Sequence, residues 1–283
     1  MIGSEEYNRS WPSGAGRDGR LVVVAGLMQG VCAAIAATCG LLIGYPVQAK
    51  SSEGAFTLQW LGHAAFMLNT GSETILMDPF GEGLGYPVPA VAADIVTISH
   101  EHFDHNHVQA ARGKPQILRG IDPKSGSWQT VKYTGKNVTI RTVPVWHDNR
   151  AGELRGRNTV FVFQVRGVTL VHLGDLGHVL TDEQVRAIGP VDILMIPVGG
   201  YYTIGPEEAV RVTEALKPRV VIPMHYNNGS AAMKSWPITD VKTFLRALPP
   251  GWRIRTDVGP EVAVSEETLP QEKTVWVWRT PQD

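Results

Sequence analysis

The sequence predicts an α/β fold with β-sheets at its centre and helices on the outside. Three observations carry this expectation. The first half of the folded region is dominated by short strand-like runs separated by turn residues. The second half alternates strand-like with helix-like segments, an order that layers helices on sheets. The chain has 283 residues, 43% hydrophobic and 19% charged, enough to bury a large core.

The N-terminus stands apart. Residues 1–20 are polar, with Arg9, Arg17 and Arg20 set against Glu5, Glu6 and Asp18. Leu21 to Tyr45 then runs without a charge, and Val47-Gln48-Ala49 precedes Lys50. This reads as a secretory signal cleaved after Ala49. The apolar run is also long enough to span a bilayer, so a retained membrane anchor is the alternative, and a buried core helix a third. Residues 1–49 are therefore read as signal peptide or anchor, and 50–283 as the catalytic domain. The expected location is exported, periplasmic or secreted, or anchored to the membrane through residues 21–45. The two cysteines, Cys32 and Cys39, both fall in this stretch. That excludes a disulfide framework or thiolate-bound zinc in 50–283, so any metal must be held by His, Asp or Glu.

Each element of the folded region has its own signal. Phe56 to Asp78 alternates apolar runs with turns, and Asn69-Thr70-Gly71-Ser72 is turn chemistry, so a β-meander is expected. Gly81 to Pro89 has the composition of an irregular loop. Strands are expected at 94–99, 138–145, 159–165 and 168–173. Thr181-Asp182-Glu183-Gln184 reads as a capping box opening a short helix with Val185 and Ile188 on its inner face. Val191 to Val198 is a continuous apolar strand. Pro206 suits the first turn of a helix that Lys217-Pro218 ends, and Arg219 to Met224 is the next strand. Val241, Phe244, Leu245 and Leu248 recur at helical spacing, and Pro249-Pro250-Gly251 stops that helix. Strands at 252–256 and 274–278 finish the chain.

The charge balance, 26 Lys and Arg against 27 Asp and Glu, lacks the basic footprint of a nucleic-acid binder. A small-molecule or lipid-like substrate is expected, with no nucleic-acid partner. The oligomeric state has no signal in the sequence.

The chemistry concentrates in one run, His100-Glu101-His102-Phe103-Asp104-His105. Four of the nine histidines, His100, His102, His105 and His107, fall between positions 100 and 107. Imidazole is the commonest nitrogen ligand for zinc-like ions, and Asp supplies oxygen. In extended backbone His100 and His102 point the same way, while Asp104 and His105 follow as the chain turns and can serve a second ion. His147 follows the strand VTIRTVPVW, Asp175 follows VTLVHLG, and His225 follows RVVIPM. Candidate ligands at several strand ends can converge in one crevice. Asp175 has a competing reading as a helix cap or a turn with Gly174 and Gly177. His172 reads as a packed strand histidine, and His107 and His178 as surface or supporting residues. His63, after the strand TLQWLG, stands between pocket lining and a structural turn. Tyr201 and Tyr202, after Gly199-Gly200, either contact substrate or pack in a loop.

His100-x-His102-x-Asp104-His105 with later His147, Asp175 and His225 resembles the metallo-β-lactamase-fold hydrolases. WLGHAAF, ILMDPF, ISHEHFDHN, VHLGDLGH, IPVGGYYTI and VIPMHY further resemble the branch of Zn-dependent hydrolases near the ascorbate-phosphate lactonase type. The resemblance covers about residues 56–230. It implies a four-layer αββα sandwich with two divalent metal ions at one edge of the sheets, zinc first and manganese as the alternative. His100, His102 and His147 would bind one ion, Asp104, His105 and His225 the other, and Asp175 would bridge. Metal-activated hydroxide would then cleave an ester, lactone or phosphodiester, with Asp104 orienting the nucleophile or shuttling its proton. The alternatives are a metal-dependent oxidoreductase or dioxygenase on the same fold, or a non-catalytic metal-binding protein. His102 stands where oxygen-reducing di-iron relatives carry Glu, which disfavours the oxidoreductase. The missing cysteine ligand disfavours a β-lactamase.

Overall fold

A computed structural model of the chain describes residues 54–281. The expected signal or anchor segment, the run 21–45, both cysteines and the boundary after Ala49 lie outside the described residues.

The expected meander forms β1 (Phe56–Gly62), β2 (Ala65–Asn69) and β3 (Thr74–Met77), joined antiparallel. A short β4 (Val91–Ala92) precedes β5 (Ile95–Ile98), which runs parallel to β3. A second short strand, β6 (Ala111–Arg112), pairs with β4, and β7 (Gln116–Arg119) extends the sheet beside β5. β8 (Lys132–Thr134), β9 (Val138–Trp146), β10 (Arg157–Val165) and β11 (Val168–His172) then form an antiparallel run.

After β11 the alternation sets in as predicted. α1 (Asp182–Ile188) opens with the Thr181–Gln184 capping box, in which side chain and backbone bond reciprocally. It is followed by β12 (Ile193–Pro197), α2 (Pro206–Leu216), β13 (Val220–Met224) and α3 (Val241–Ala247). β14 (Arg253–Val258), β15 (Glu261–Val264) and β16 (Thr274–Trp278) complete the elements. β12 and β13 are buried at every position, as parallel strands covered on both faces must be.

Two sheets result. One has the order β15-β1-β2-β3-β5-β7, the other β14-β16-β13-β12-β11-β10-β9-β8. Their facing side chains form one core that includes Phe66, Met77, Phe161, Phe163 and Leu194. α1 packs on β9, α2 on β12, and α3 on α2, so these helices cover the larger sheet. The smaller sheet turns Leu76, Val96 and Ile98 the other way, into a separate apolar cluster with Ala93 and Ala110. There the cover is β4, β6 and a single 3-10 turn, Val108–Ala110.

Strand direction decides where the site falls. β1, β3 and β5 run the same way, so His63, Asp78 and His100 emerge at one edge of the smaller sheet. β9, β11, β12 and β13 also share a direction, so His147, Asp175, Gly199 and His225 emerge at one edge of the larger.

Candidate metal centre

The two edges meet. Ligand-type atoms of His100, His102 and His147 lie within 4.8 Å of one another, and so do those of His63, Asp104, His105 and His225. Asp175 faces both groups. Its Oδ2 is 3.1 Å from His147 Nε2 and 3.2 Å from His225 Nε2, while its Oδ1 is 3.1 Å from His105 Nε2. His100 Nε2 is 3.8 Å from Asp175 Oδ2. His102 lies beside its set, with ring centres 4.6 Å from His100 and 4.8 Å from His147. Apart from half-buried His102, all these side chains are buried.

Residues 57–225 match the profile of the β-lactamase superfamily domain. The chain belongs to this family. A UPF0173 metal-dependent hydrolase of Thermococcus kodakarensis is 35% identical over 190 residues, which span 60% of this chain and 84% of the relative. Another, of Carboxydothermus hydrogenoformans, is 32% identical over 201 residues, spanning 64% and 86%. Among solved structures, a Thermotoga maritima protein assigned as a Zn-dependent hydrolase of the metallo-β-lactamase superfamily superposes with a TM-score of 0.61. It is 37% identical and covers 79% of this chain and 98% of its own. The metallo-β-lactamase-fold protein YhfI of Bacillus subtilis superposes at 0.52 with 13% identity over 81% of this chain and 98% of its own, a likeness of fold. The chain is thus a metal-dependent hydrolase of the metallo-β-lactamase superfamily. These relatives do not carry the narrower ascorbate-phosphate lactonase description, so that branch stays a resemblance.

The atoms of this hydrolase's site fit a cation. His105 Nδ1 meets Asp78 Oδ2 at 2.9 Å and donates its proton there, which leaves Nε2 as the nitrogen that faces Asp175 and Asp104. His100 uses Nδ1 on the Ser99 hydroxyl at 3.0 Å and likewise leaves Nε2 without a hydrogen-bond partner. Asp104 Oδ1 and both ring nitrogens of His147 also lack hydrogen bonds. Lone pairs and carboxylates converging in a buried space are costly until a positive charge joins them.

The electrostatics agree. Burial, then the neighbouring His105 and His102, hold His100 well below the ordinary imidazole value. Burial, then His147, lowers His102 to about 4. Both rings are therefore neutral, the form that binds metal. Burial opposes ionisation of Asp175, but His105 and His225 outweigh it and hold its pKa well below the usual carboxylate value. Burial likewise opposes ionisation of Asp104, and its histidine neighbours again prevail. His105 moves the other way: burial opposes its charge, but Asp175 and Asp104 raise its pKa well above normal.

His63, read from the sequence as pocket lining that could contact substrate or as a structural turn, sits inside the cluster. It is fully buried, and its Nε2 bonds Asp104 Oδ2 at 3.1 Å. That makes it a positioning group for Asp104. Burial first, then His225, lowers its pKa to about 4. His63, Asp78 and His225 all adopt left-handed backbone, with φ of 50°, 40° and 50°. Such conformations are strained for non-glycine residues and concentrate at functional sites. Two of these corners are tied together, since His225 N–H donates to the His63 carbonyl at 3.2 Å.

Several supporting residues escaped the sequence reading. Asp78 accepts from Ser99 N–H at 2.8 Å and from the Ser99 hydroxyl at 2.5 Å besides holding His105. Arg119 Nη1 lies 2.6 and 2.7 Å from the Glu101 carboxylate oxygens, fastening the ligand-bearing loop to β7. Asp148 accepts N–H bonds from Arg150, Gly152, Leu154 and Arg155 at 2.7–2.9 Å, shaping the loop after His147. A Cβ at Gly177 would collide with the backbone of His147 and Asp148, so only glycine permits that approach.

The remaining histidines are structural or peripheral. His172 Nδ1 accepts from Gly174 N–H at 3.1 Å and its Nε2 donates to the Ala64 carbonyl at 2.8 Å, the packed strand role expected. His178 accepts from Trp146 N–H and donates to the Val179 carbonyl. His107 sits beside Gly81. Tyr201 is exposed and Tyr202 half-buried on the loop after β12, outside the His/Asp cluster.

Proposed function

We propose that the protein is a dinuclear metallohydrolase that cleaves an ester, lactone or phosphodiester bond in a small-molecule or lipid-like substrate. The observation that carries this reading is the Asp175 carboxylate facing both histidine groups at 3.1–3.2 Å. In this reading His100, His102 and His147 would hold one divalent ion and Asp104, His105 and His225 the other, with Asp175 available to both. Divalent ions there would lower the pKa of bound water to about 7 and polarise the scissile group. Zinc suits the nitrogen-rich donor set, with manganese the alternative.

The residues supply orientation. Asp78 fixes the tautomer of His105, and Ser99 fixes that of His100. His63 pins one oxygen of Asp104 and leaves Oδ1 buried and unpaired. That oxygen can hold the attacking water in line. Its lowered pKa favours orienting the nucleophile over retaining its proton. The uncharged run 21–45 supports export or membrane anchoring.

The test is a panel of lactone, ester and phosphodiester substrates offered to the metal-loaded wild type and Asp104→Ala. Hydrolysis of one bond class, reduced about a hundredfold or more in the variant, is expected. Equal activity in both proteins contradicts the reading.

A further inference from the structure

We propose that Arg155 is the anion-recognition residue of this site, selecting substrates that join a carboxylate or phosphate-type group to an apolar body. The inference rests on the hydrolase reading above and names its substrate class.

The Arg155 guanidinium lies 5.7 Å from the ring centre of Tyr201 and 5.6 Å from that of Tyr202. Both distances fall within cation–π range, so two aromatic rings hold the side chain beside them. Among the described residues no carboxylate pairs with it, in contrast to Arg119, Arg211 and Arg253. An arginine that is held by aromatic rings, and has no anion, presents the geometry that binds carboxylate or phosphate through two parallel hydrogen bonds.

Its position ties it to the metal centre by two routes. Its backbone N–H donates to Asp148 Oδ2 at 2.7 Å, and Asp148 directly follows His147. The Tyr202 ring packs 5.7 Å from Trp236, whose ring lies 6.2 Å from His63, the partner of Asp104. The Tyr202 phenol feels both Arg155 and Asp104: burial and Tyr201 raise its pKa, Arg155 opposes, and Asp104 adds to the rise.

The surroundings specify the rest of the ligand. Among the described residues four large apolar side chains are exposed, and three of them come from loops that carry the site. Phe103 is 50% exposed between His102 and Asp104, Leu154 is 57% exposed beside Arg155, and Tyr201 is 63% exposed. An organic anion with an apolar body satisfies both features: its acid group meets Arg155 and its body covers these side chains.

Calorimetry on the metal-loaded full chain tests this without requiring turnover. The probes are phenylphosphonate, benzoate and the uncharged benzamide, offered to wild type, Arg155→Gln and Arg155→Lys. Either variant keeps the backbone N–H that Asp148 holds. Arg155→Gln should weaken at least one anionic probe about ten- to a hundredfold and leave benzamide unchanged, with Arg155→Lys intermediate. Which anion responds identifies the acid group. Equal affinity of wild type and Arg155→Gln for both anions, or equal loss of all three probes, overturns the proposal. Arg155-dependent binding in a protein that hydrolyses nothing in the panel would sink the hydrolase reading alone.

Discussion

Asp78 and His105 are far apart in sequence, yet the carboxylate of one lies 2.9 Å from Nδ1 of the other. The contact exists because β3 and β5 run parallel and release Asp78 beside Ser99 at the same edge. Asp78 thereby determines which nitrogen of His105 points into the site. Asp78→Asn should lower metal affinity about ten- to a hundredfold, because an amide can turn its NH₂ toward Nδ1 and favour the wrong tautomer. Competition against a calibrated chelator measures it. Unchanged affinity would show that Asp78 only packs.

The buried histidines predict how the metal-free protein responds to pH. His63 and His102 titrate at about 4 in the folded chain, and at about 6.5 when unfolded. Between those values the unfolded state binds more protons, so stability rises with pH. His105 has the opposite sign. Its raised pKa contributes stability fully below about 6.5, and that contribution is lost as pH climbs through the folded value. The Tm of chelator-treated protein should therefore climb from pH 4.5 to 6.5 and decline above neutrality. A flat profile between pH 4.5 and 6.5 would contradict the burial of these rings.

Gly177 is where a single methyl group should disable the site. Its Cβ would meet the His147 carbonyl and Asp148 N–H, which are backbone and cannot swing away. Gly177→Ala should cost about 1–3 kcal/mol or more of stability. Chemical denaturation with metal titration reads both effects. A variant with wild-type stability and metal affinity would show that the loop has room to move.

The Glu101–Arg119 pair should matter more to the loop than to the fold. Both side chains are about one-quarter exposed, which limits their contribution to roughly 1 kcal/mol. Arg119→Met should therefore lower Tm only slightly while increasing hydrogen exchange in residues 100–106. Exchange rates equal to wild type would assign the pair to the surface alone.

What the sequence could reveal divides along physical lines. The strands with continuous apolar runs and the helices with caps emerged where expected, because their signals are local. β7, β8 and β15 did not. β15 is the four residues Glu-Val-Ala-Val, and it forms because β1 offers an unpaired edge. In the site, His100 to His105 form a run, and His147, Asp175 and His225 each follow an apolar strand, so all were visible. Asp78, Glu101 and Asp148 were not distinguished, since any of them could serve as an ordinary turn or surface acid. Their roles depend on Ser99, Arg119 and four loop N–H groups that only the folded chain brings near. His63 was visible but its role was not, because nothing local indicates that it meets Asp104.

In the proposed site Asp175 joins two metal positions. Metal content of the purified protein, measured beside Asp175→Ala, tests it most directly. Two divalent ions per wild-type chain are expected, with loss of at least one in the variant. One ion or none in the reconstituted wild type, or two retained without Asp175, would contradict it.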